Sequence, residues 1–71
     1  MTKDEFSFVV YMIHACANKW GKMPSEVYRT LQETGCIGSL LVKHYPILHT
    51  QGTGYIVSNV EDYLRARGVT V

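Results

Sequence analysis

The sequence predicts a mainly α-helical single domain: a compact bundle of about four short helices with a small β-hairpin or tight loop at residues 47–57, in an order like that of a winged helix. Apolar residues recur at helical spacing over most of the chain, and glycines and prolines fall where helices would begin and end. Only the stretch around Gln51-Gly52-Thr53-Gly54 breaks that periodicity, between two short β-prone runs.

The first helix is expected over about residues 4–20, where Phe6, Val9, Val10, Ile13, Cys16, Ala17 and Trp20 share one face. Phe8, Met12 and Ala15 extend the apolar arc around a second side, leaving Ser7, Tyr11, His14 and Asn18 as a narrow polar strip. An arc well beyond the roughly 100° of an ordinary surface helix implies cover from two directions, by the domain itself and by another chain. Asp4 and Glu5 suit the positive end of the helix dipole, Lys19 and Lys22 the negative end, and Gly21 a stop.

Pro24 opens a second helix, 24–34, because its fixed φ and missing N–H cost little in a first turn. Val27, Tyr28 and Leu31 form its predicted buried stripe, and Gly35 closes it. Cys36 and Ile37 lead into a short third helix bearing Leu40, Leu41 and Tyr45, which Pro46 should end by pushing Tyr45 towards an extended conformation. Ile47 to Thr50 and Tyr55 to Val57 then flank the glycine-containing turn. Ser58 with Glu61 three residues later resembles a capping box, which places the fourth helix at 59–67 with Val60, Tyr63 and Leu64 inward and Gly68 as its stop. The tail 69–71 either pairs with a neighbouring strand or is disordered.

A chain of 71 residues has room for one core, and surface scaling gives roughly 4,500 Å² exposed when it folds alone. So small a core holds a thin stability margin, which points to association with a second chain as support. Only two cysteines, no signal-like N-terminus and no run of membrane-spanning length predict a cytoplasmic protein with reduced thiols and no membrane contact. Seven Lys/Arg against six Asp/Glu give a net charge of +1, without the basic excess or polybasic block that phosphate-rich partners demand.

Five side chains, His14, Cys16, Cys36, His44 and His49, could in principle hold a metal, but none are paired at the close spacing that structural zinc uses, and no metal or cofactor is expected. The Gln51-Gly52-Thr53-Gly54 run lacks the lysine of a P-loop and the third glycine of a dinucleotide fingerprint, so no catalytic residues are assigned and the protein is read as a non-enzyme. Element order suggests a winged-helix DNA-binding regulator as the alternative. Its recognition helix would offer only Ser39, Lys43 and His44, without the Arg, Asn or Gln that make bidentate base contacts. Five tyrosines exceed what one small core can satisfy, and some belong at an interface rim, where an apolar ring and a polar tip are both used.

Residues 8–68 resemble a small bacterial family known only as a domain of unknown function. The resemblance is carried by Tyr11-Met12-Ile13-His14 with Ala17 and Trp20-Gly21, by Ser25-Glu26-Val27-Tyr28 with Leu31 and Thr34-Gly35, and most specifically by Leu48-His49-Thr50-Gln51-Gly52 leading into Tyr55-Ile56-Val57. Gly38-Ser39-Leu40-Leu41 departs from the more polar or aromatic run such a family would place there. Members are often encoded beside a toxin resembling an ADP-ribosyltransferase, which implies an antitoxin-like or accessory binding role. The expected function is therefore a protein-interaction module that self-associates or binds a neighbouring gene product, using Phe8, Tyr11, Met12, His49, Thr50 and Gln51.

Overall fold

A computed structural model describes all 71 residues as helices joined by tight turns, in the order α1 (Lys3–Trp20), α2 (Pro24–Glu33), a π-helix (Ile37–Val42), α3 (Tyr45–Leu48) and α4 (Thr53–Ala66). There is no strand. The long helix α1 starts one residue earlier than its apolar pattern implies. Thr2 caps it, its hydroxyl accepting from the Glu5 N–H at 3.1 Å while the Glu5 carboxylate accepts from the Thr2 N–H at 2.8 Å. Gly21, at φ 66°, stops it in the left-handed conformation that glycine adopts without steric cost. At roughly 1.5 Å per residue, α1 is about as long as the molecule's 27 Å greatest extent, so it serves as the spine.

Val9, Met12, Ile13, Cys16 and Ala17 form its buried face, and α2, α4 and the π-helix all pack on α1. The second apolar side does not await another chain. Met12 is completely buried, and Phe8 and Ala15 are half-buried against the same core. The π-helix and α3 supply that cover, with Phe8 meeting Tyr45 edge-on at 5.3 Å. Total exposed surface is 4420 Å², the value expected of a self-standing monomer of this mass.

In α2, Val27 and Leu31 are buried as the spacing predicts, whereas Tyr28 is 50% exposed and leaves the stripe. Next comes the π-helix, where the Lys43 N–H bonds back five residues to the Gly38 carbonyl at 3.2 Å. Within it Ile37 and Leu41 are buried and Val42 rests partly buried against the core. Pro46 opens α3 instead of ending the preceding helix, because the chain has already broken at His44 (φ −105°, ψ 14°) and a first turn needs no proline N–H.

The hairpin predicted at 47–57 is absent, and with it any wing. Ile47 and Leu48 complete α3. The Thr50 N–H and hydroxyl both donate to the Ile47 carbonyl, the Gln51 N–H donates to Leu48, and Gly52 accepts from Ile56 to begin α4. The run Tyr55-Ile56-Val57 has β-forming side chains, but Ile56, Val57, Val60 and Leu64 are buried together at helical spacing, and packing on α1 decides between the two. Ser58, expected to cap the fourth helix, lies exposed in its interior. Tyr63 packs partly inward as predicted, donating its hydroxyl to the Thr34 carbonyl at 3.2 Å beneath the Arg67 guanidinium. Gly68 (φ 76°) ends the last turn, and in the tail Val69 rests on the core without forming a strand.

Two substitutions separate the caps that form from the one that does not. Thr2→Ala should destabilise the domain by about 1 kcal/mol in chemical denaturation. Ser58→Ala should be neutral or stabilise it by up to about 0.5 kcal/mol, as for an exposed helix interior; a loss of about 1 kcal/mol would instead restore Ser58 as a cap.

Candidate functional site

Sequence reasoning places Phe8 and Tyr11 on α1 and His49, Thr50 and Gln51 in the turn after α3, and the structure brings these two regions together. Phe8 and Tyr11 lie one turn apart on the same side of α1. Tyr45, the first residue of α3, meets the Phe8 ring edge-on, and its own face stacks on the His49 imidazole at 4.6 Å and 17°. A turn along α1, the Tyr11 hydroxyl shares a 2.7 Å hydrogen bond with the Thr53 hydroxyl at the start of α4. The result is a continuous strip from His49 through Tyr45 and Phe8 to Tyr11 and Thr53. Met12 lies beneath it, fully buried, and so supports the strip without facing a partner.

The strip has two members that the candidate set lacks, Tyr45 and Thr53, which join it by contact; Ile47, 65% exposed, stands two residues from both Tyr45 and His49 and so on the other side of the short α3. Tyr55, two residues after Thr53 in the first turn of α4, is 60% exposed on another side of that helix. A signal for this region does stand in the sequence. No Asp, Glu, Lys or Arg occurs from 44 to 60, nor from 6 to 18 on α1, although charged residues make up 18% of the chain. Folding brings these two uncharged stretches into contact.

Charge gathers elsewhere. Glu61, whose spacing from Ser58 suggested a cap, instead accepts from the Trp20 indole N–H at 2.8 Å and lies 3.2 Å from the Lys19 ammonium, tying α4 to the end of α1. The indole bond, then the lysine, hold its carboxyl below the ordinary value. Cys16 and Cys36 are free and buried. Burial pushes the Cys16 thiol up to about 12, with Cys36 and Glu61 adding to the effect, and the Cys36 thiol up to about 11. Both stay protonated at neutral pH and serve as small core side chains. His14, Cys16, Cys36, His44 and His49 do not converge, since no three His, Cys, Asp or Glu side chains gather at one point.

The surface has two open clefts, one of about 460 Å³ between Glu61, Arg65 and the tail 69–71, the other of about 390 Å³ beside His14, Asn18 and Lys22. Neither includes any residue of the strip. No helix is long and apolar enough to cross a membrane.

A family model described as "Protein of unknown function (DUF3791)" matches residues 7–67. The chain belongs to this family. The DUF3791 match runs from the first turns of α1 to the residue that ends α4, so the family's common unit is the whole bundle, strip included. The resemblance to a family of unknown function is thereby confirmed. No curated protein and no solved structure matches the chain.

Two measurements test these electrostatic assignments. Because Glu61 has a depressed folded-state value, its stabilising contribution should be complete above about pH 5 and disappear as pH falls below the ordinary 4.5 through that depressed value. Glu61→Ala should therefore lower stability by about 1 kcal/mol at pH 7 and flatten the acid limb of the stability profile, with a shifted Trp20 emission. An aromatic disulfide reagent at pH 8 should label neither cysteine faster than the protein opens, so labelling rates should rise with denaturant in step for both.

Proposed function

We propose that the protein is a non-enzymatic interaction module that binds another protein through the strip formed by Phe8, Tyr11, Tyr45, His49 and Thr53 with the adjoining turn residues Thr50 and Gln51. The supporting observation is an uncharged, aromatic surface assembled from two charge-free stretches of an otherwise normally charged chain. The centres of protein interfaces are depleted in charge and enriched in tyrosine, because a buried unpaired charge is costly while a tyrosine supplies an apolar ring and one easily satisfied hydroxyl.

Self-association is the weaker form of this reading. The domain alone covers Met12, most of Phe8 and Ala15, and its exposed area is that of a monomer, so it has no uncovered core that a second copy would have to complete. The resemblance supplies the more specific partner, a neighbouring gene product of the ADP-ribosyltransferase-like toxin type, for which this protein would be an antitoxin-like or accessory subunit. A DNA-binding role has lost its motivation. The element order that suggested a winged helix depended on a hairpin, and residues 47–57 are helix, turn and helix.

The test is co-purification of the tagged domain with the product of the adjacent reading frame, compared with Tyr11→Glu and His49→Glu variants. Both positions are exposed, so the fold should persist with a thermal stability lowered only slightly, while binding should weaken at least about tenfold. Binding that survives both substitutions would move the interface elsewhere. Affinity of the parent complex should change by less than about threefold between about 50 and about 300 mM salt, because the strip carries no charge to screen. A steep salt dependence, or a mobility shift with promoter DNA at low salt, would overturn the proposal.

A further inference from the structure

No further inference is drawn: the strongest candidate, the N-terminus of α4 at Gly52–Tyr55, which has no side-chain cap and no acidic residue in its first turn, is a helix end with no unpartnered buried side chain aimed at it, and nothing in the structure shows what would occupy it.

Discussion

Val9, Met12, Ile13, Cys16 and Ala17 line the buried face of the one helix that spans the molecule, and the placement of the other elements follows from packing on it. A core of 15 buried residues contains no buried polar or charged side chain, so its specificity comes from shape and from the few polar ties at its edge. The π-helix contributes Ile37 and Leu41 to that core and packs Val42 partly against it.

Ties at the rim are spaced around this core. Thr2 and Glu5 secure the start of α1; Trp20, Lys19 and Glu61 join its end to the middle of α4; Tyr63 joins α4 to the end of α2. Tyr11 and Thr53 close the remaining corner. Each is a polar contact at partly exposed positions, contributing on the order of 1 kcal/mol, which is a meaningful share of the small net stability of a domain this size.

The same arrangement accounts for the character of the strip. Side chains that could not all fit a small core, Tyr11 and Tyr45 among them, lie along the junction of α1, α3 and α4 with their rings partly bare, the Tyr11 hydroxyl already bonded to Thr53. Because neighbouring charges are absent, water is the only strong competitor for those groups. That suits recognition by shape and hydrogen bonding and disfavours recognition by phosphate contacts.

Local chemistry in the sequence was enough to specify helical content, the boundaries of α2, the glycine stops at 21, 35 and 68, and the burial of both cysteines, since these depend on periodicity, backbone sterics and side-chain type within a few residues. The candidate contact residues named from the sequence, Phe8, Tyr11, Met12, His49, Thr50 and Gln51, come from two separate stretches whose proximity no local pattern indicates. Packing decided the rest. Tyr55-Ile56-Val57 is β-prone in isolation and helical on α1; Ser58 and Glu61 have the spacing of a cap, yet Glu61 is drawn to an indole 41 residues away in the chain; Pro46 begins a turn where it might have ended one. In each case the local preference is worth a few tenths to about one kcal/mol, and burial of several apolar side chains outweighs it. The joining of the two uncharged stretches into one surface belongs to the same class: it depends on contacts between residues about 40 apart, which no short-range pattern encodes.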